Sequence, residues 1–188
     1  MQDGYCVTAI RNVEPDEALR RLGARDEEIS TATWREFLGQ ARYAEAGFEC
    51  CEIAAFAIGS HTLLVEGNGY DAVLRPDLSL GTFAVSSYRS MDGDTAFAVC
   101  RNGEVLATVE ENQLSKAHGD DPGVLTGPLA AMGIYDLEAF DDDDDASLDD
   151  LQLLCRVAGI RPTVPDVAGD ARVAIFESSL ETLFPLGM

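Results

Sequence analysis

The chain has 188 residues, 46% of them hydrophobic, which is enough for one globular domain with a full core. Its 34 acidic residues outnumber 13 basic ones, so the net charge at pH 7 is −21. A surface this acidic repels nucleic-acid phosphates and anionic lipid headgroups, which argues against direct nucleic-acid binding and membrane attachment. It attracts basic proteins or cations, or it simply keeps the protein soluble.

The cysteines and the N-terminus indicate the compartment. Five cysteines, at positions 6, 50, 51, 100 and 155, show no C-x-x-C spacing, so they predict buried free thiols in a reducing cytoplasm. The chain begins without a basic and apolar leader, and no apolar run is long enough to span a membrane. We therefore expect a cytoplasmic protein, and we assign it no membrane span, no cofactor and no metal.

The N-terminal quarter predicts a strand followed by two helices. Residues 5–10 (YCVTAI) form a short apolar run typical of a strand. A helix begins at Pro15 and ends at Gly23, with its apolar stripe at Ala18, Leu19 and Leu22. The second helix begins near Thr33, because Thr33 and Glu36 have capping-box spacing and the following apolar residues have helical spacing: Trp34, Phe37, Leu38 and Ala41.

The middle of the chain predicts strands. Residues 48–66 contain two strands interrupted at Gly59-Ser60, and residues 75–80 form one or two helical turns. Residues 82–110 then contain three β-rich runs separated by Asp92-Gly93 and Asn102-Gly103, the strongest short-range signals for two-residue hairpins. This segment predicts a three-stranded antiparallel meander.

Two-residue turns would fix the register of this meander. They place Arg101 opposite Glu104, Cys100 opposite Val105, Val99 opposite Leu106, and Val85 opposite Cys100. One face, small and apolar and suited to a helix, would carry Phe83, Val85, Ser87, Ala98, Cys100, Val105, Ala107 and Val109. The other, mixed and only partly covered, would carry Ala84, Ser86, Tyr88, Phe97, Val99, Leu106 and Thr108. A slip of one residue would exchange the faces.

The C-terminal third is more polar and more helical. Residues 122–133 have helical spacing, and residues 136–150 hold the densest charge, including Asp141 through Asp145. Ser147 and Asp150 occupy capping-box positions before a helix that ends at Gly159. Residues 173–176 (VAIF) are compatible with a strand or a helix.

Together these elements predict an α+β fold. We expect a mostly antiparallel sheet of about five or six strands, with helices packed mainly on one face. Residues 1–188 would form a single domain, with an acidic loop at 136–146 and a helical C-terminal part.

Several motifs resemble a known family. They are YCVTAIRNVEPDEALRRLGA (5–24), HTLLVEGNGY (61–70), GTFAVSSYR (81–89), the NGEVLATVE hairpin and LLCRVAGIRPT (153–163). In this order they resemble an uncharacterised actinobacterial domain family of small intracellular proteins of unknown function. The chain departs from it in a shortened helix after Arg75 and in the acidic insertion around 136–146. The resemblance implies a fold and a cytoplasmic setting, and it provides no catalytic residues.

The aspartate run is the first candidate site. A Ca²⁺ loop needs alternating oxygen ligands and a glycine at fixed offsets, and five consecutive aspartates match no such pattern. We assign the run, Asp141, Asp142, Asp143, Asp144 and Asp145, to contact with a basic partner. The simpler interpretation is a solvated loop that leads into the next helix.

His61 is the second candidate, as the centre of a pocket. No G-x-S-x-G motif surrounds it, and His61 and His118 alone provide no metal-ligand spacing. A structural histidine at the end of a strand is the alternative. Glu52 and Glu66 could act as paired carboxylates only if the fold brought them together.

The sequence is compatible with two functions. The first is a non-enzymatic intracellular protein whose acidic surface engages a basic protein, as an immunity-type or other inhibitor would. The alternative is a small-molecule-binding protein or enzyme with a pocket near His61. The absence of a catalytic motif favours the first, and we assign no catalytic residue.

Overall fold

The computed structural model describes residues 4–33, 36, 50–67, 70–142 and 147–177. Eight strands lie in these ranges: β1 Tyr5–Arg11, β2 Ile29–Thr33, β3 Cys50–Ile58, β4 His61–Gly67, β5 Phe83–Arg89, β6 Thr95–Arg101, β7 Glu104–Glu110 and β8 Asp170–Glu177. They form one sheet in the order β2-β8-β3-β4-β1-β5-β6-β7, and every neighbouring pair is antiparallel.

The helices that the structure describes are short. They are α1 Pro15–Leu22, α2 Thr126–Ala130, α3 Leu137–Asp141, α4 Asp150–Ala158 and α5 Val164–Ala168. Single 3₁₀ turns lie at Asp26–Glu28, Ala72–Leu74, Pro76–Ser79, Leu114–Lys116 and Pro122–Leu125. The α+β class with an antiparallel sheet is confirmed, and the helical turn after Arg75 is the one at Pro76–Ser79.

The predicted number of strands is wrong, because the sheet has eight rather than five or six. The two additional strands are β2 and β8, which pair with each other at one end of the sheet. The sequence of β2, ISTAT, is half-exposed and mostly polar, so it lacks the apolar alternation that marks a strand. Residues 173–176 (VAIF), which are compatible with a strand or a helix by sequence, form part of β8.

Both faces of the sheet are covered, so the expected one-sided arrangement is only partly right. The α4 face, centred on Val85 and Val99, packs against α4 and the other short helices of the C-terminal third. The opposite α1 face, centred on Ile10 and Leu64, packs against α1 and the 3₁₀ turns at 72–79. The sheet is therefore the middle layer of the described fold.

The first helix forms as its sequence predicts. Pro15 occupies the first turn, and Ala18, Leu19 and Leu22 are buried. Gly23 ends the helix with φ of 115°, and its N–H bonds back to the helix carbonyls. The capping-box bonds between Thr33 and Glu36 are present, although Thr33 ends β2, and residues 34, 37, 38 and 41 of the predicted second helix lie outside the described ranges.

The meander is confirmed, and its second turn is the predicted one. Asn102 and Gly103 both have positive φ, and Arg101 lies opposite Glu104. A β-bulge follows at Leu106: Cys100 still faces Val105, but Val99 faces Ala107 instead of Leu106. The predicted pairings beyond the bulge are therefore displaced by one residue.

The first turn of the meander is not a two-residue turn, so the predicted faces are wrong. Only Gly93 has positive φ, and Ser90 pairs with Asp94 across a three-residue loop. The Ser90 Oγ also accepts the Asp94 N–H at 2.9 Å, which stabilises this longer loop. As a result Val85 faces Val99 rather than Cys100, and Phe97 and Val99 lie on the same face as Val85. Both faces of the meander pack against other elements, and Tyr88, Ala96 and Val105 on the α1 face are partly buried.

The C-terminal third contains two further differences from prediction. The N-cap of α4 is Asp149, whose carboxylate accepts the Gln152 N–H at 2.8 Å, rather than Ser147. Gly159 ends this helix with φ of 74°, as expected. The segment at 136–146 is not a loop throughout, because residues 137–141 form α3.

The β7 edge of the sheet is covered by the segment that follows it. Thr108 and His118 exchange two backbone hydrogen bonds, and the N–H groups of Asp120 and Asp121 donate to carbonyls of β7. Gly119 makes the close approach possible: its φ is 134°, and a Cβ there would lie 2.5 Å from the Leu106 carbonyl oxygen. Covering an edge in this way prevents pairing with other chains.

We expect Gly119→Ala to lower the free energy of unfolding by about 2–3 kcal/mol, because the new methyl group must push the cover away from β7. Urea unfolding followed by circular dichroism measures this loss. Gly133→Ala is the matched control: its φ is 86° and the space around it is open, so only about 1 kcal/mol of backbone strain is expected. Equal losses in the two variants would contradict the proposed contact.

Candidate functional site

Asp141, the first residue of the aspartate run, is a structural anchor. Its carboxylate accepts hydrogen bonds from the N–H groups of Leu114 and Ser115, both at 2.8 Å, and from the Ser115 hydroxyl at 2.6 Å. Burial acts to raise the pKa of Asp141, but the bonds from Ser115 and Leu114 outweigh it, so the pKa is lowered. The carboxylate thus stays ionised and fastens α3 to the turn after β7.

The rest of the run is divided between exposed and undescribed residues. Asp142 is exposed and lines a groove of about 330 Å³ with Glu138, Asp141 and Lys116. Asp143, Asp144 and Asp145 lie outside the described residues. The structure therefore presents Asp142 and Glu138 to solvent, and it gives Asp141 a role within the fold.

Charge is strongly segregated along the chain. Residues 102–155 contain 14 acidic residues and a single basic one, Lys116, whereas the other 134 residues contain 20 acidic and 12 basic ones. The structure describes eleven of the 14, and nine are exposed: Glu104, Glu110, Glu111, Asp120, Asp121, Asp136, Glu138, Asp142 and Asp149. This set defines the acidic surface of the protein.

His61 begins β4 beside a groove of about 310 Å³ that Glu14 and Ser60 also line. Its Nδ1 lies 3.3 Å from the Ser60 hydroxyl, and its buried Nε2 has no hydrogen-bond partner of good geometry among the described residues. Burial and then the charge of Arg11 lower the pKa of His61, and the nearby Ala158 carbonyl partly opposes them. These effects favour the neutral imidazole. A ligand-binding pocket near His61 stays a prediction.

The structure separates Glu52 from Glu66. Glu66 faces Ile53 across the β3–β4 pair and lies on the α1 face, so Glu52, the preceding residue of β3, points to the other side. Glu66 is only 1% exposed. The two carboxylates do not form a catalytic pair.

Glu66 is a buried carboxyl group that the sequence motifs did not indicate. Its two carboxylate oxygens accept the N–H groups of Asp71 and Ala72 at 3.1 and 3.0 Å, and the Cys6 thiol lies against it. Burial raises the pKa of Glu66 to about 7, and the charge of Asp71 adds to this, while the three donors oppose it. An acidic residue that directly follows the apolar run of a strand, as in LLVEG, is the sequence signal for such a site.

A second buried carboxylate, Asp150, attaches α4 to the sheet. The Tyr5 hydroxyl donates to it at 2.8 Å and the Ser87 hydroxyl at 3.0 Å, while the Arg89 guanidinium lies 3.7 Å away. Burial first, and then the bond to Asp150, raise the pKa of Tyr5 to about 12, so the phenol remains a donor. The Asp150 carboxylate is satisfied by partners within the protein, which is typical of a structural contact.

Within the described ranges, no three His, Cys, Asp or Glu side chains lie close enough together to hold a metal ion. In the same ranges no helix is long and apolar enough to cross a membrane. Cys6, Cys100 and Cys155 are free thiols, and the first two are buried.

Comparison with known proteins identifies the family of the chain but assigns no activity. A model described as "Family of unknown function (DUF6461)" matches residues 1–167. No curated protein and no solved structure matches the chain. The match confirms the resemblance to an uncharacterised family that the sequence motifs indicated.

Proposed function

The chain belongs to this family of unknown function, and we propose that it is a non-enzymatic binding protein that engages a basic protein through its acidic surface. The observation that carries the proposal is the exposure of nine carboxylates in a segment with one basic residue. Such a surface speeds encounter with a positively charged partner and makes binding depend on salt. An inhibitor or an immunity-type protein works in this way.

The folding of the segment supports the proposal. Asp141 fixes α3 to the turn at Leu114–Lys116, and this holds Glu138 and Asp142 at the rim of one groove. Carboxylates on a fixed framework lose less conformational freedom on binding than carboxylates on a free loop. The free thiols of Cys6 and Cys100 support a cytoplasmic location for the encounter, because they persist as thiols in a reducing compartment.

The test begins with the partner and then turns to the carboxylates. Proteins that co-purify with the chain from its native host at low salt are identified, and binding of the purified partner is measured over a range of salt concentrations. We expect the association rate to fall at least tenfold between about 50 and 500 mM salt. A partner that binds with no salt dependence would contradict the proposal.

Two matched variants then separate the acidic surface from net charge. In the first, Asp142, Asp143, Asp144 and Asp145 are replaced by Asn, and Asp141 is kept because it anchors α3. In the second, four carboxylates elsewhere are neutralised: Glu14, Glu27, Asp92 and Asp170. We expect the first variant to bind the partner at least tenfold more weakly at low salt, and the second to bind within about twofold of wild type. Equal losses would show that only the total charge matters.

A further inference from the structure

The widest of the described grooves lies between α2 and α4, away from the exposed carboxylates of α3. Its volume is about 650 Å³, about twice that of the grooves beside Asp141 and His61. Pro128 and Ala131 form one wall, Cys155 and Arg156 of α4 form the other, and Arg161 lies where the chain leaves α4. A groove of this size accommodates a small organic molecule.

The two arginines of this groove differ from the other arginines that the structure describes. Six of those other eight pair with carboxylates: Arg20, Arg21, Arg25, Arg75, Arg89 and Arg172. Two more, Arg11 and Arg101, lie over the ring of Phe83 at 5.3 and 5.5 Å. Arg156 and Arg161 are the two left with no ion pair and no aromatic partner in the described part of the chain, and both line the groove. In a chain of net charge −21, this leaves two guanidinium groups available at one place.

The opposite wall does not neutralise these arginines. Residues 122–135, which include α2, contain no charged residue. Asp149 is a carboxylate that acts on the groove. Burial raises the pKa of Cys155, and the negative charge of Asp149 raises it further. Asp149 precedes α4 while Arg156 is in its last turn, roughly 10 Å along the axis at 1.5 Å per residue. Asp149 also caps Gln152, so it is not a bidentate partner for either arginine.

The groove also has apolar lining residues that are largely covered. Ile160 is 6% exposed, and Cys155 and Pro128 in the two walls are partly buried. Guanidinium groups bind carboxylate, sulfonate and phosphate groups through parallel N–H bonds. We propose that the α2–α4 groove binds a small organic anion, with its acidic head on Arg156 and Arg161 and its apolar body against Pro128, Ala131 and Ile160.

Two fluorescent probes that differ only by a sulfonate group test this site on the intact folded chain. They are 8-anilino-1-naphthalene sulfonate and the neutral N-phenyl-1-naphthylamine, which lacks the sulfonate. We expect saturable binding of the sulfonate at one site, with at least tenfold higher affinity than the neutral probe. Absence of saturable sulfonate binding, or equal affinity for both probes, would overturn the proposal.

Variants locate the bound probe. Arg156→Gln and Arg161→Gln are each expected to weaken sulfonate binding at least fivefold and to leave the neutral probe within twofold of wild type. Arg101→Gln, which removes an exposed arginine outside the groove, controls for net charge and should change sulfonate binding less than twofold. Ala131→Trp, at an exposed position of the groove wall, should abolish binding of both probes by occupying the space. Sulfonate binding that survives Ala131→Trp, or that falls equally in Arg101→Gln, would place the probe elsewhere and refute the site.

Discussion

Replacing Asp150 with alanine is expected to lower the free energy of unfolding by about 3–5 kcal/mol, because the change breaks a buried charge pair and leaves its partners without an acceptor. Asp150 is 6% exposed, and the Arg89 that it faces is also largely buried. The hydroxyls of Tyr5 and Ser87 lose their acceptor at the same time. Ser87 is then fully buried, and Tyr5 half-buried, without this hydrogen bond, at a cost of about 1–3 kcal/mol for a buried neutral donor.

The neighbouring Asp149 provides the control. Its carboxylate also accepts a backbone N–H at the start of α4, but the residue is exposed and this bond lies within its own helix. Asp149→Ala should therefore lower the free energy of unfolding by about 1 kcal/mol, the usual value of an N-cap. Guanidinium unfolding followed by circular dichroism measures both variants. If Asp150→Ala is no less stable than Asp149→Ala, the contact with Tyr5, Ser87 and Arg89 does not hold α4 on the sheet.

Local signals in the sequence were sufficient to predict the elements that are stabilised by local contacts. Asn102-Gly103 adopts positive φ at both residues, and Pro15 and Gly23 delimit α1. The Asp92-Gly93 pair looks equivalent, yet Asp92 does not take positive φ. There the Ser90 hydroxyl stabilises a three-residue loop instead of the predicted two-residue turn. The additional loop residue places every residue of β6 on the face opposite to the predicted one.

Contacts between distant parts of the chain could not be predicted in the same way. The β2–β8 pair joins segments more than 130 residues apart, and neither segment has a strong strand pattern. Tyr5 and Asp150 are 145 residues apart, and nothing local indicates that a carboxylate in capping position is buried on a sheet. The aspartate run was evident from charge, but the use of Asp141 as an anchor for Leu114 and Ser115 depends on the fold.

Glu66 is expected to make the protein less stable as the pH rises from about 4.5 to about 7. Its pKa is about 7 in the folded chain, against 4.5 for a free glutamate. Below pH 4.5 the carboxyl group is protonated in both states, so its contribution to stability is fully present. Between the two values the folded state holds a proton that the unfolded state has lost, and each pH unit in this window removes about 1.4 kcal/mol. Above pH 7 the total loss reaches about 3 kcal/mol.

Glu66→Gln isolates this contribution, because glutamine has the shape of the neutral acid and cannot ionise. The variant is less stable at pH 4.5, since its amide NH₂ must face the N–H of Asp71 or Ala72. Relative to wild type it should then gain about 3 kcal/mol in free energy of unfolding between pH 4.5 and pH 8. Denaturant unfolding at half-unit pH intervals measures the difference, and Glu110→Gln, at an exposed glutamate, controls for the loss of one negative charge. A difference between Glu66→Gln and wild type that stays constant over this range would show that the pKa of Glu66 is not raised in the folded chain, because the donors from Asp71, Ala72 and Cys6 fully offset burial.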